Sequence, residues 1–276
     1  RWRLLGLPLV VPMLGWVPPW PAHGHFDVLA LDIGQGSAVL LRTQQHSLLF
    51  DAGPRWSAQS DAGERTVVPV LRALGVQPTV MVVSHADSDH AGGAASVQQA
   101  FAHMQWLGAG GVACVQGQSW QWDGVRFEML HPLRGIPTNA YASANARSCV
   151  LKVSSVDGYS ALLTGDIEAA QEQSLLKTGV DLKAQLLLVP HHGSKTSSSV
   201  DFVNAVQPTL AIVQSGYRNR FGHPATPVVQ RYQAAGAQLV NTPACGAALW
   251  RSWMPDSVQC ERAIRRRYWS AVLPPH

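Results

Sequence analysis

With 276 residues, of which 46% are hydrophobic and 14% charged, the chain carries enough apolar side chains for one sizeable core, which excludes an intrinsically disordered chain. The formal net charge of +4 suits an anionic partner such as a phosphate ester or nucleic acid without requiring one. The 4 cysteines, Cys114, Cys149, Cys245 and Cys260, form no C-x-x-C pair, which argues against a zinc knuckle. Pairing Cys114 with Cys149 and Cys245 with Cys260 would close two local loops in an oxidising compartment; other connectivities and free buried thiols stay open.

In chain order, Arg1 and Arg3 precede an apolar stretch, Leu4 to Trp16, broken by Pro8 and Pro12 and followed by a Trp/Pro-rich segment up to Pro21. That is shorter than the roughly 20 residues needed to span a bilayer. It reads as the trailing half of a transmembrane helix of a longer protein, with Trp16 and Trp20 at the interface, the two arginines cytoplasmic and everything after residue 21 outside. The expected organisation is therefore a membrane-helix end and linker over 1–24, one domain over 25–255, and a basic tail over 256–276. Arg262, Arg265, Arg266 and Arg267 of that tail are either solvated or in contact with phosphate or lipid.

From His25 the pattern changes to short apolar runs broken by Gly and Asp. Residues 26–33, 38–42 and 47–50 are predicted strands of a meander, 66–74 a helix ending at Gly75, and 79–83 an apolar strand. A helix over 93–102, a strand over 104–107, a hairpin through Trp120 to Phe127, and strands over 149–153 and 160–163 follow. Then come a helix over 167–177, a strand over 184–189, a helix over 198–206 and a strand over 209–214. Meanders followed by interleaved strands and helices imply two mixed sheets face to face with helices outside.

Polar clusters sit just past three of these apolar strands. The first, Ser84-His85-Ala86-Asp87-Ser88-Asp89-His90, holds four ligand-type side chains within six residues, a set suited to zinc, manganese or iron. Capping of a following helix would explain one aspartate but not the two flanking histidines. The second is Thr164-Gly165-Asp166 and the third Pro190-His191-His192-Gly193-Ser194. Loops past the ends of strands can converge on one edge of a sandwich.

The run H-x-D-x-D-H followed by Ala91-Gly92-Gly93 resembles the H-x-H-x-D-H signature of the metallo-β-lactamase superfamily, with Asp87 in place of the second histidine. Asp166 matches that family's bridging aspartate and His191-His192 its late histidine motif, while Asn145 stands where many members carry a further histidine. Together with Asp32-Ile33-Gly34-Gln35-Gly36 and Phe50-Asp51-Ala52-Gly53, residues 25–250 resemble the C-terminal domain of ComEC, the DNA-uptake channel of transformable bacteria; Ser37 stands where an acid is usual.

The resemblance implies an α/β fold, the αββα four-layer sandwich of the metallo-β-lactamase fold, and a metal-dependent nuclease that degrades one strand of incoming DNA. His85, Asp87 and Asp166 would hold one metal, and Asp89, His90, His192 and Asp166 the other. Two metals about 3.5–4 Å apart can activate water and stabilise both the attacking and the leaving oxygen of a phosphodiester. The exchange of histidines for Asp87 and Asn145 hardens the first ligand set, so two divalent ions are expected, manganese preferred and zinc possible. Asp89, Asp166 and His191 are the expected catalytic residues, His191 being a ligand, a partner of a ligand or a proton donor. Ser194, Lys195, Thr196 and Asn145 are expected to contact substrate, although a helix N-cap at Ser197 or Ser198 is a competing use of the Ser/Thr run. The implied partners are DNA, the membrane-embedded channel of the same protein and other DNA-uptake machinery, and the implied location is the periplasmic side of the inner membrane. A small-molecule phosphodiesterase or thioesterase, and a non-catalytic DNA guide, are the alternatives on this fold.

Outside the three clusters, His131 and His223 read as structural histidines, and most tryptophans as packing groups. Asp32 and Asp51 read as turn formers before they read as groups orienting a ligand.

Overall fold

A computed structural model describes residues 20–137 and 140–265. The expected membrane segment up to residue 19, and Arg266 and Arg267, lie outside the described residues. No helix among the described residues is long and apolar enough to cross a membrane.

Strands β1 (Asp27–Ala30), β2 (Val39–Arg42) and β3 (Ser47–Phe50) form an antiparallel meander. A small hairpin, β4 (Arg55–Ser57) with β5 (Ser60–Asp61), precedes a helical stretch that is π-helical over Gly63–Val67 and α-helical over Val68–Ala73. Strand β6 (Val80–Val83) returns parallel to β3, and β7 (Gln105–Gly108) lies parallel to β6 after the helix Ala94–Ala100. The second half opens with the hairpin β8 (Ser119–Trp122) and β9 (Val125–His131), then β10 (Val150–Ser154) and β11 (Ser160–Leu163). Parallel strands β12 (Leu186–Leu188), β13 (Leu210–Val213) and β14 (Gln238–Asn241) continue it, separated by helices Ala169–Thr178, Val200–Val206 and Thr226–Ala234. The chain then crosses back: β15 (Ala248–Arg251) pairs with β1, and β16 (Met254–Cys260) with β15. The result is two seven-stranded sheets, ordered β16-β15-β1-β2-β3-β6-β7 and β14-β13-β12-β11-β10-β9-β8.

Period-two side-chain alternation assigns each strand residue to a layer. Val39, Leu41, Leu48, Phe50, Val80 and Val82 face Phe127, Leu151, Val153, Leu163, Leu186 and Ile212 across the central core. The alternate residues Leu40, Leu49, Met81 and Val83 meet the helices over 68–73 and 94–100. On the other side, Leu162, Leu187, Ala211 and Val213 meet Leu175, Phe202, Val228 and Tyr232 of the outer helices. Burial on both faces is why these strands read as continuous apolar runs. Four layers result, αββα, as the sequence implied.

At the C-terminal end the structure departs from the expected elements. The helix Thr226–Ala234 and strands β14 to β16 were not anticipated, because the strands are short and partly polar, and β16 is an edge strand that tolerates Pro255. Strand β16 crosses the boundary expected after residue 255, Cys260 is bonded to Cys245, and Arg262 pairs with Asp32 at 2.8 Å, so residues 256–265 belong to the domain rather than to a tail. At the other end, Trp20 lies under the Arg42 guanidinium, 5.7 Å from its ring centroid, and the Gly24 amide donates to the Asp123 carbonyl at 2.6 Å. Packing thus begins within the segment expected to be linker. Cys114 is bonded to Cys149, so both pairings raised from the sequence are present.

Candidate metal centre

The three polar clusters meet at the carboxyl ends of β3, β6, β11, β12 and β13, the edge of an α/β sheet where side chains from neighbouring strands converge. After β6 the chain turns at Asp87 into a single helical turn, Ser88–Ala91. Asp87 occupies the N-cap position, but its side chain makes no capping bond. Its carboxylate, 51% exposed, instead lies 3.6 Å from His85 Nε2. The turn can sit this close to β3 because of Gly92 and Gly93, where a Cβ would strike the backbone of Arg55 and Ser88 and of Ala52 and Gly63. His90 is thereby carried inward beside Asp51 at the end of β3.

Buried Asp51 sets the orientation of this cluster. Its carboxylate accepts the Ser84 amide (2.6 Å), the Ser84 hydroxyl (2.9 Å) and the His90 Nδ1–H (2.7 Å). With its proton spent on Asp51, the Ser84 oxygen accepts from His85 Nδ1–H at 3.0 Å. Both imidazoles therefore turn Nε2 toward the centre. The same device holds His192, whose Nδ1–H donates to the Gln214 carbonyl at 2.8 Å. Gln214 is itself locked, its amide donating to the Leu31 and Ala38 carbonyls and its side-chain oxygen accepting from Ser37, each at 3.0 Å. Ser37, the departure from the family pattern, thus supports the support of a histidine.

Asp166, buried at the end of β11, is where these rings converge. Its carboxylate lies 3.0 Å from His90 Nε2, 3.6 Å from His192 Nε2, 3.7 Å from His191 Nε2 and 3.9 Å from His85 Nε2. Asp89 reaches His192 Nε2 at 3.3 Å. Asp89, His90, Asp166 and His192 each offer a ligand atom within 4.8 Å of one another, a set able to hold a metal ion.

Two observations test whether the residues fit a cation. The Nε2 atoms of His90 and His192 face each other at 3.1 Å, and with Nδ1–H committed on both rings, either an added proton on His90 or a metal cation must lie between the two lone pairs. His85 Nε2 is buried without a hydrogen-bond partner, a state that costs about 1–3 kcal/mol unless something binds there. Both are relieved by divalent cations, so the donor set fits.

Protonation follows the same geometry. Burial works against a charged His90, but Asp166 and Asp51 outweigh it and hold its pKa well above the usual 6.5. Burial and the neighbouring His90 push His85 down to about 4. For Asp89 burial acts upward, yet the His192 bond and the charges of His90 and His192 prevail and lower it to about 2. Asp166 is likewise held far below its usual range: burial opposes ionisation and the histidines overcome it.

The late motif sits on strained backbone. His191 and His192 both have left-handed φ, 51° and 54°, at about 1–2 kcal/mol each, as stored strain at functional sites does. His191 Nδ1 lies 3.4 Å from Glu168 Oε1, and Asn145 Nδ2 lies 3.4 Å from His191 Nε2. Of the expected substrate contacts, Ser194 is buried with its hydroxyl 3.1 Å from Thr196 Oγ1, and Thr196 donates to Glu168 at 2.7 Å, so both hydroxyls bind within the protein, the second tying the loop to the start of the helix Ala169–Thr178. Lys195 is exposed. The helix cap is Ser199, which accepts from the Phe202 amide, rather than Ser197 or Ser198.

His131 is structural as expected, donating from Nδ1 to the Ser148 carbonyl at 2.7 Å. His223 is not remote: its ring lies 5.9 Å from that of His191 and 6.4 Å from that of His192. Asp51 exceeds the turn-forming role expected of it, whereas Asp32 pairs with Arg262. Gln214 and Glu168 were missed. Gln214 directly follows an apolar strand, as His85 nearly does, and that placement was the available signal. A groove of about 290 Å³ runs beside His85, past Ala109, Pro132, Arg147 and the Cys114–Cys149 disulfide.

Comparison with known proteins agrees with this geometry. A family model described as the metallo-beta-lactamase superfamily matches residues 31–113, which include the His85 to His90 run. The fold matches the metallo-beta-lactamase fold protein YhfI from Bacillus subtilis with a TM-score of 0.54 at 11% identity, covering 82% of this chain and 99% of that one. It also matches Igni18, a metallo hydrolase from Ignicoccus hospitalis, with a TM-score of 0.53 at 14% identity, covering 81% and 98%. The chain belongs to the metallo-β-lactamase superfamily.

Within it, the chain is homologous to part of the ComEC-like competence proteins. It is 41% identical over 254 residues to Competence protein ComA of Neisseria gonorrhoeae, covering 89% of this chain and 35% of that protein. It is 35% identical over 230 residues to Recombination protein 2 of Haemophilus influenzae, covering 80% and 28%, and 30% identical over 268 residues to ComE operon protein 3 of Bacillus subtilis, covering 85% and 34%. The chain thus spans about a third of the length of these curated relatives.

Proposed function

We propose that this chain is the metal-dependent nuclease domain of a ComEC-like DNA-uptake protein, hydrolysing phosphodiester bonds of one strand, on the periplasmic face of a membrane-embedded channel. The observation that carries the reading is Asp166, approached by four imidazoles within 3.9 Å, with Asp87 beside His85 and Asp89 beside His192. That is the environment of a carboxylate shared by two cations. The names of the competence relatives support the DNA-uptake context.

Asp89, His90, His192 and Asp166 would hold one metal, and His85, Asp87 and Asp166 the other. Bound there, the two ions would supply Lewis acidity for water activation and for charge on the phosphodiester oxygens. Asp87 and Asp166 make the second ligand set rich in oxygen, which favours manganese over zinc. Asp51 and the Gln214 carbonyl keep the His90 and His192 lone pairs aimed inward. His191, half-buried with Nδ1 toward Glu168, delivers a proton to the leaving oxygen from Nε2. Asn145 and Lys195 bind the phosphate; Ser194 and Thr196 hold their loop in shape.

Labelled DNA incubated with the purified chain and manganese, zinc or chelator tests this. Cutting is expected with manganese and none with chelator or in Asp166→Asn. If manganese gives no cutting while Asp89→Ala retains DNA binding, the domain is a DNA guide and the nuclease reading is wrong.

A further inference from the structure

The loop between β13 and the helix Thr226–Ala234 leaves two large aromatic side chains in solvent beside the metal centre, Tyr217 at 49% and Phe221 at 53% exposure. Single exposed aromatics are ordinary. Here each is accompanied by a guanidinium over its face, Arg218 at 5.2 Å from the Tyr217 centroid and Arg220 at 4.9 Å from that of Phe221. The segment from Ser215 to Ala225 contains no Asp or Glu.

The loop is also held in shape. Asn219 Nδ2 donates to the Gly216 carbonyl (3.0 Å) and the His223 carbonyl (2.6 Å), and its Oδ1 accepts the His223 amide (2.9 Å). The Gly216 amide donates to Gln35 Oε1 at 3.1 Å, and the Ala225 amide to the Gly193 carbonyl at 2.8 Å, which ties the loop to the late histidine motif. The rings continue inward: Phe221 and His223 stack at 5.6 Å with 24° between their planes, and His223 and His192 at 6.4 Å with 25°. A near-parallel series of aromatic faces therefore leads from solvent to the metal ligands.

We infer that this loop is a stacking platform for unpaired nucleotides, with a base on Phe221 and another on Tyr217, their phosphates on Arg218 and Arg220, and the strand led past His223 into the centre. The chemistry selects the occupant. A half-exposed ring with a guanidinium over its face binds a ligand that is both aromatic and anionic, as an unstacked nucleotide is, the phosphate drawing the guanidinium off the ring and the base taking its place. A cationic headgroup would be repelled by the two arginines. Bases in a duplex are already stacked on their neighbours and present no free face. The inference rests on the nuclease reading for its biological sense, and it adds that the substrate is engaged as a single strand.

The test uses the full chain freed of metal with EDTA, so that binding is read without cutting, by fluorescence anisotropy of a labelled oligothymidylate, an abasic oligomer of equal length and a duplex. Phe221→Ala and Tyr217→Ala should each weaken oligothymidylate binding by about tenfold, the scale of one lost base–aromatic stack. They should leave duplex and abasic binding unchanged, and Phe221→Tyr should restore it. Arg218→Ala with Arg220→Ala should weaken all three ligands and reduce the salt slope by about 2. Wild-type affinity in Phe221→Ala, at an unchanged melting temperature, would overturn the platform, as would equal losses for single strand and duplex. Loss of binding to phosphatidylglycerol vesicles with oligomer binding intact would assign the loop to a lipid surface and equally overturn it. The two readings separate: no cutting by the wild type with manganese removes the nuclease and leaves a Phe221 effect in EDTA standing, whereas cutting with Phe221 inert does the reverse.

Discussion

The two sides of the centre are built differently. On the His90 and His192 side, each ring has its Nδ1–H tied to a buried acceptor, Asp51 at 2.7 Å and the Gln214 carbonyl at 2.8 Å, and the two Nε2 atoms already meet at 3.1 Å. On the other side His85 is held through Ser84, its Nε2 has no partner, Asp87 is half in solvent, and Asn145 stands behind His191. One half is held by hydrogen bonds to buried acceptors; the other has an unpartnered imidazole nitrogen and a carboxylate half in solvent.

Removing what the halves share should have the largest effect. Asp166→Asn should reduce bound manganese, measured by elemental analysis, from two ions per chain to less than one, and lower DNA cutting by about 10³-fold, the scale of losing a preorganised charge-stabilising group. Retention of both ions would mean that the halves do not share Asp166. Next comes the anchor of the preorganised half. Asp51→Asn keeps the shape but weakens the direct hold on His90, and calorimetric titration should show the His90 site weakened about 10–100-fold and the His85 site, which Asp51 reaches only through Ser84, weakened less. Equal weakening of both would erase the distinction.

The open half is probed by completing it. Asp87→His with Asn145→His should shift the metal preference toward zinc by about tenfold in competition titrations, on the scale of charged-group contacts. A wild type that already prefers zinc would show that the oxygen-rich half does not select the metal.

The smallest effect is on stability against pH. The raised pKa of His90 contributes stability below its ordinary 6.5 that is lost as pH rises through the folded value. The depressed value of His85, about 4, means that between 4 and 6.5 the unfolded chain takes a proton the folded one refuses, so stability falls as pH drops through that window. Asp89, lowered to about 2, adds a loss only below 3.8. Thermal melts of the metal-free protein should therefore peak at about pH 6.5 and fall by a few degrees on each side. Saturating divalent cation should remove the alkaline fall, because it replaces the His90 proton. A flat profile without metal would contradict the charged His90.

The His85 to His90 run, Asp166 and His191-His192 were legible because each follows an apolar strand, and apolar strands buried on both faces are the strongest local signal this fold produces. The period-two division of Leu48, Leu49 and Phe50 between two cores follows from the same signal. Strand β16 was lost to the expected tail because an edge strand covered on one side is under weak pressure to be apolar. His223 was discounted because a lone loop histidine carries no spacing, and its place beside His192 depends on Asn219 folding the intervening loop.

Which residue types could bind a cation, and that they lie at strand ends, is written locally in the chain, since ligand chemistry and apolar periodicity are local properties. How they are aimed depends on contacts between distant segments. The tautomers of His90 and His192 depend on Asp51 and the Gln214 carbonyl, 39 and 22 residues away, and Asp87 was freed from capping by the path of its turn. A hydrogen bond between distant segments leaves no periodic trace in either, because it constrains one atom pair and not a repeating face.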